Sequence, residues 1–287
     1  MPSPGARQSS DAPPVAMAPA PDERGLSYVV PTDMVTLPSE GKLYPQGHPL
    51  HGKTEIELRE MTAKEEDILT TEAYARNGTL FDRLLQSLMV DKNTRPEDLL
   101  IGDKNALLIA ARISAYGHIY EASVDCPVCG EESDEGFDLT TCPIQGPVDL
   151  ENTEDKELRT AVTLSDDCTY FITLPKCQAT VEVRLVTGKD ESSLSNLKAM
   201  KKKKKLASHP LTDHLKKIIV SVDGITDGLK TSEFVNVLPA SDSRFLRRVF
   251  GKLTPNVEMT QEFVCESCEY ERELEVPFTS RFFWPDS

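Results

Sequence analysis

The sequence predicts an α+β fold: a helical region near the N-terminus, a smaller inserted α/β region, and a thin ribbon assembled from two hairpins distant in the chain. Three observations carry this. Cys126-Pro-Val-Cys129 and Cys265-Glu-Ser-Cys268 are each flanked by alternating, strand-like sequence. Leu80, Phe81, Leu84, Leu85, Leu88 and Met89 recur at the i, i+1, i+4, i+5 spacing of one buried helical stripe. Val181, Val183 and Leu185 alternate as the inward face of a strand does. At 287 residues, with 39% apolar content, the chain has room for a packed core.

Residues 1–25 read as a disordered arm, because Pro2, Pro4, Pro13, Pro14, Pro19 and Pro21 interrupt a stretch with no apolar repeat. Residues 26–60 read as an extended segment, a turn-rich loop at Ser39–Pro45 and a short strand at Thr54–Arg59, with Ile56 and Leu58 on one face. Residues 61–117 form the helical domain. Thr62-Ala-Lys-Glu65 is a capping box that starts a helix, Asn77-Gly78 stops it, and the Leu80 stripe makes the next one. Asp103 is expected to cap a third helix running through Tyr116 to Gly117. Ala106–Ala111 is apolar all round, which places that helix in the centre.

The ribbon takes residues 118–140 and 255–287. His118–Asp125 enters the first cysteine turn and Gly136–Leu139 leaves it. Thr260–Val264 and Glu269–Val276 flank the second, the latter with Glu269, Glu271, Glu273 and Glu275 alternating against Tyr270, Leu274 and Val276. Between them, residues 141–254 form the inserted α+β region. It opens with an acidic loop, Pro143–Glu157, followed by strands at Arg159–Leu164, Thr169–Leu174 and Thr180–Val186. A polar helix at Ser192–Leu206, a turn or two at Leu211–Lys217, a strand at Ile218–Val222 and an amphipathic helix at Asp242–Lys252 complete it.

Two doubled Cys-x-x-Cys turns point to a tetrahedral zinc site made by Cys126, Cys129, Cys265 and Cys268. A two-residue gap lets both sulfurs of a tight turn face one ion, at the roughly 2.3 Å that zinc–thiolate bonds prefer. A redox dithiol needs a helix start beside a parallel sheet, and neither pair has that context. With four protein ligands no position is open for water or substrate, so the metal is expected to be structural; such coordination contributes on the order of 10–16 kcal/mol in small zinc domains. Cys142, Cys168 and Cys177 are assigned no chemistry. The five histidines form no metalloprotease pair, and neither a phosphate-cradling loop nor a nucleophile elbow is present. The sequence therefore reads as a non-enzyme, with metalloenzyme chemistry the least favoured of three readings.

The formal net charge is −15, and its placement matters more than its sum. Asp125–Glu157 holds eleven acids and one base, and Val257–Val276 seven acids and one base. Such surfaces repel phosphate, so a zinc-ribbon nucleic-acid-binding or transcription-associated factor is kept only as the alternative reading. Lys201–Lys205 reads as a solvated face, since no aromatic residue interleaves with it to stack on bases; an acidic protein partner is the better functional reading of that run. No apolar run of membrane-spanning length and no signal peptide are evident, which gives a cytoplasmic expectation.

Leu37-Pro-Ser-Glu-Gly-Lys-Leu-Tyr-Pro45, Met61-Thr-Ala-Lys-Glu-Glu-Asp-Ile-Leu69, Asp98-Leu-Leu-Ile-Gly-Asp103 with Ala115-Tyr-Gly117, Cys126-Pro-Val-Cys-Gly130 and Phe282-Phe-Trp-Pro285 occur in this order. As a set they resemble the baseplate hub and hub-assembly proteins of T-even-like contractile-tailed bacteriophages. The resemblance implies a structural or assembly component of the tail baseplate hub, without catalytic turnover, made in the host bacterial cytoplasm and present in the virion tail if retained. It implies other hub, tail tube or tape-measure proteins as partners, and several copies in a symmetric assembly. Phe282, Phe283 and Trp284 read either as an aromatic docking plug for a partner or, with equal weight, as a final strand packed on the chain's own core.

Overall fold

Short antiparallel pairing of Thr32–Thr36 (β1) with Glu55–Arg59 (β2) sets Met34 opposite Glu57 and turns Ile56 and Leu58 inward. The computed structural model describes residues 30–276 and 280–283; the expected N-terminal arm and Trp284 lie outside them. The elements all belong to the unit Thr32–Ser287. Between β1 and β2 the loop tucks Leu37, Leu43, Tyr44 and Leu50 into the core. Gly41, at φ 68°, has to be glycine on two counts: the conformation is left-handed, and a Cβ there would lie 2.4 Å from the carbonyl oxygen of Lys53.

The capping box at Thr62 forms, with the Thr62 amide donating to Glu65 at 3.1 Å, and starts Ala63–Thr70 (α1). Glu72–Arg76 (α2) follows as a separate short helix, stopped at Gly78 with φ 66°. Leu80–Leu88 (α3) buries Leu80, Leu84, Leu85 and Leu88, the stripe expected from their spacing. Ile101–Tyr116 (α4) begins before Asp103, so Asp103 is not its cap. Its carboxylate accepts instead from the Ser39 amide at 2.8 Å, the Ser39 hydroxyl at 2.6 Å and the Tyr44 hydroxyl at 2.7 Å. The Tyr44 oxygen in turn accepts from the Leu100 amide at 3.0 Å, next to the open amides of the helix start. Asp103 thus ties the Leu37–Pro45 loop to α4.

Ile119–Asp125 (β3) and Glu132–Asp138 (β4) form the first ribbon hairpin. Ile144–Gln145 (β5) pairs with Asn256–Val257, bringing the chain around both ribbon stems together. The expected strand at Arg159–Leu164 is half wrong. Asp155 caps a helix, Lys156–Ala161 (α5), by accepting from the amides of Glu157 and Leu158, and only Val162–Leu164 (β6) is extended. Thr169–Thr173 (β7), Thr180–Arg184 (β8) and, after Gly188–Lys203 (α6) and Pro210–Ile218 (α7), Ile219–Val222 (β9) complete an antiparallel sheet in the order β6-β7-β8-β9. Gly228–Val237 (α8) was not anticipated; Asp227 caps it. Ala240–Leu253 (α9), the Asn256–Val257 strand (β10), Thr260–Val264 (β11), Glu271–Glu275 (β12) and a 3-10 turn at Ser280–Phe283 close the chain.

Among the described residues two buried apolar clusters result. The large one runs from Leu37 to Phe283 and includes residues from β2, from the β3–β4 hairpin, from the four-stranded sheet and from most helices. The small one, at the ribbon tip, consists of Cys126, Phe263 and Cys265, with Val124, Tyr270 and Leu274 against it. Among the described residues no helix is long and apolar enough to cross a membrane.

Candidate metal centre

Both cysteine turns fold the same way. In the first, the Cys126 amide donates to Glu131 at 2.8 Å and the Gly130 amide to the Cys126 carbonyl at 2.9 Å. In the second, Cys265 donates to Tyr270 and Glu269 to Cys265, each at 2.9 Å. The residue after each second cysteine is left-handed, Gly130 at φ 74° and Glu269 at φ 55°. This bend turns the chain back so that both thiols of a turn lie on one side.

The four predicted ligands converge across 135 or more residues of sequence. Cys126 Sγ lies 3.7 Å from Cys268 Sγ, and Cys129 Sγ lies 3.6 Å from Cys265 Sγ; all four sulfurs fall within 4.8 Å of one another. A regular tetrahedron with metal–sulfur bonds of about 2.3 Å has edges of about 3.8 Å, so the sulfurs stand where one tetrahedral ion would hold them. Cys126 and Cys265 are buried while Cys129 and Cys268 face outward. The cluster is thus a lid over the small apolar tip and not a pocket.

The backbone amide of Cys129, then that of Val128, outweigh burial and bring the Cys126 thiol down to about 6. The Tyr270 amide favours the Cys268 thiolate, but partial loss of hydration within the cluster and the three neighbouring sulfurs push that thiol up to about 12. Four thiolates this close need a cation between them, and the donor set, four soft sulfurs in a tetrahedron, fits zinc or iron.

The ribbon is anchored by residues that the spacing of the cysteines does not show. Arg112 is 1% exposed and donates to three carbonyls: Phe282 at 2.7 Å, Gly117 at 2.8 Å and Ile119 at 3.2 Å. It joins the end of α4, the base of β3 and the C-terminal turn. Gln261 donates to the Asp138 carbonyl at 2.8 Å and so links the two hairpins. The sequence signal for Arg112 was its isolation: one cation directly after the apolar run Ala106–Ala111. Phe282 and Phe283 are fully buried, with the Phe282 ring edge-on to Tyr120 at 5.1 Å and Phe283 tilted against Phe81 at 5.8 Å. Of the two readings of the aromatic tail, their placement is that of the chain's own core, in a 3-10 turn and not a strand.

Residues 31–284 match the protein family described as T4 bacteriophage base plate protein. No curated protein and no solved structure matches the chain.

Proposed function

Because the chain belongs to the T4 bacteriophage base plate protein family, we propose that it is a structural or assembly component of the baseplate hub, stiffened by a zinc ion and without catalytic turnover. A baseplate protein acts as part of the virion tail, in association with other tail proteins. The finer reading rests on one observation: four sulfurs from turns far apart in sequence within 4.8 Å of one another. A closed thiolate tetrahedron leaves no coordination position for a substrate, and it converts two weak hairpins into a stiff lever.

Cys126, Cys129, Cys265 and Cys268 hold the zinc. The acidic faces of the ribbon dock on basic patches of neighbouring hub, tail tube or tape-measure proteins and are unsuited to nucleic acid. Assembly takes place in the host bacterial cytoplasm, with several copies in a symmetric particle. The test is complementation of a phage whose own copy is disabled. Wild-type protein should restore complete baseplates by electron microscopy, and Cys126→Ser should leave incomplete ones. Normal baseplates in the absence of the chain would overturn the role, and normal baseplates with a zinc-free Cys126→Ser chain would overturn the part assigned to the metal.

A further inference from the structure

Two runs of like charge stand out in the chain, and most of their charged groups make no ion pair among the described residues. The hairpin β3–β4 carries seven acids from Ile119 to Asp138 and the hairpin β11–β12 six from Thr260 to Glu275, against the single base Arg272. Of these acids, those from Glu121 to Glu273 make no ion pair among the described residues; the ion pairs found there lie in the body, as between Arg248 and Glu157 or Lys252 and Asp155. At the far end of α6 the balance is reversed. Six lysines fall between Lys198 and Lys205, and no acid occurs between Glu191 and Asp213. Lys201 pairs with Asp213 at 2.6 Å, whereas Lys198 and Lys202–Lys205 are exposed and make no ion pair among the described residues.

Both patches also expose apolar side chains that a solvated charge run does not need. Met200, Leu206 and Leu211 accompany the lysines, and Ile119, Val128 and Val264 stand among the ribbon acids. Val128 is 64% exposed in the first cysteine turn. Between α6 and α7 opens a groove of about 550 Å³ lined by Leu194, Pro210 and Phe250, with Lys198 sharing its wall with Glu191 and Asp213, so the positive charge lies at the end of α6 beyond the groove. The exposed lysines at the end of α6 and the exposed acids of the ribbon, each accompanied by exposed aliphatic side chains, are complementary in sign.

We propose that the lysine-bearing α6–α7 tip of one copy docks on the acidic ribbon of a second copy, giving a heterologous, head-to-tail contact. Like patches cannot pair, since tip on tip or ribbon on ribbon sets equal charges together. The contact therefore joins unlike surfaces and closes into a ring or extends as an array. The net charge of −15 opposes approach at long range, but beyond about 8 Å that repulsion is screened at physiological salt, and the local pairing decides. Nucleic acid is the weaker candidate for the tip, because a bound strand would also meet the acidic remainder of the chain.

The test uses the full-length, metal-loaded chain in sedimentation equilibrium. Wild type should associate at low salt and dissociate as salt rises from about 0.05 M to about 0.5 M. A tip variant (K202Q, K203Q, K204Q and K205Q together) and a ribbon variant (D134N, E135Q, E271Q and E273Q together) should each weaken association roughly tenfold or more. Mixed in equal amounts they should form a species that stops at two chains, since one intact tip meets one intact ribbon. Retention of the metal by the ribbon variant checks its fold. A wild type that stays single at low salt, a mixture that does not dimerise, or a tip variant altered only in DNA binding would each overturn the contact. Self-association is decided on purified chain and the baseplate role on tail particles, so either can fail without the other.

Discussion

In the body of the chain, β1–β2, α3, α4 and the four-stranded sheet share one apolar cluster in which Leu84, Leu88, Leu107, Ile172 and Val181 are fully or almost fully inaccessible. At the ribbon tip the buried set is Cys126, Phe263 and Cys265. Full burial of one large apolar side chain contributes about 1.5–3 kcal/mol, and a two-stranded hairpin is marginal in water by itself. The tip therefore has a few kcal/mol of burial to set against the entropy of ordering two hairpins, and a metal on the four thiolates would make up the difference. The body has a core to fold by; on the proposed reading the ribbon would fold by its ligands. The loaded centre, four thiolates on one divalent ion, carries a net charge of about −2 and adds to the ribbon's thirteen acids, so the ligand bonds and not charge neutralisation would hold the tip together.

The strongest way to break the contrast is to remove one ligand. Cys126→Ser or Cys265→Ser should abolish metal binding, from about one ion per chain to near none, and remove on the order of 10 kcal/mol of clamping. Amide hydrogen exchange of β3–β4 and β11–β12 should approach that of unfolded chain, while the helical signal of the body is retained. Protected ribbon amides in a metal-free variant would show that packing holds the tip and would end the comparison.

Next in size is the joint between the two regions. Arg112→Met keeps the volume of the side chain but leaves the carbonyls of Phe282, Gly117 and Ile119 without this donor, at a cost of about 3 kcal/mol in urea unfolding. Metal content should not change. Loss of metal in this variant would mean that the ribbon depends on the body more than its own ligands imply.

A pH titration separates the regions again. Burial raises the Asp190 carboxyl, but Arg184 at 2.5 and 2.9 Å, the Thr187 amide and Lys217 outweigh it and hold the group well below the ordinary 3.8. A carboxylate depressed in the folded state contributes stability that is fully present above its unfolded value and lost as pH falls through its folded one. The body should thus weaken with acid below about pH 4. Asp190→Asn should flatten that limb and cost about 2 kcal/mol at neutral pH. Following helix signal in a Cys126→Ser background removes metal release from the reading. An unchanged acid limb in Asp190→Asn would assign the effect to other carboxylates.

What was legible in the sequence follows the same division. The pairing of the four cysteines into two like turns could be read from spacing because a cysteine turn is local chemistry, and so could the capping box at Thr62 and the α3 stripe. Asp103 was misread because its partners Ser39 and Tyr44 are about sixty residues away, and a buried carboxylate at a helix start looks like a cap until those are seen. The helix α5 was missed because three β-compatible residues, Val162–Leu164, follow it directly and the cap at Asp155 went unread. The helix α8 buries Val235 alone and exposes Leu229 and Val237, so it has no apolar stripe to detect. Arg112 and the inward turn of Phe282 and Phe283 depend on contacts between α4 and the C-terminal segment that no periodicity encodes.

The finest comparison lies within the metal centre, between its two turns. They share the same backbone bonds, yet the left-handed position is Gly130 in one and Glu269 in the other. A Cβ at Gly130 would meet nothing within 4 Å, so Gly130→Ala tests the conformation without a clash. A left-handed non-glycine costs about 1–2 kcal/mol, partly offset by the stiffer unfolded chain, and the net loss should be about 1 kcal/mol. Glu269→Gly should gain a similar or smaller amount by the reverse argument. Metal affinity measured by competition with a chelator should then fall roughly fivefold in Gly130→Ala and rise by up to that factor in Glu269→Gly. Opposite signs would show that backbone strain in the turns is coupled to metal binding. Equal, unchanged affinities would mean that the turns take up their bend only after the metal has bound.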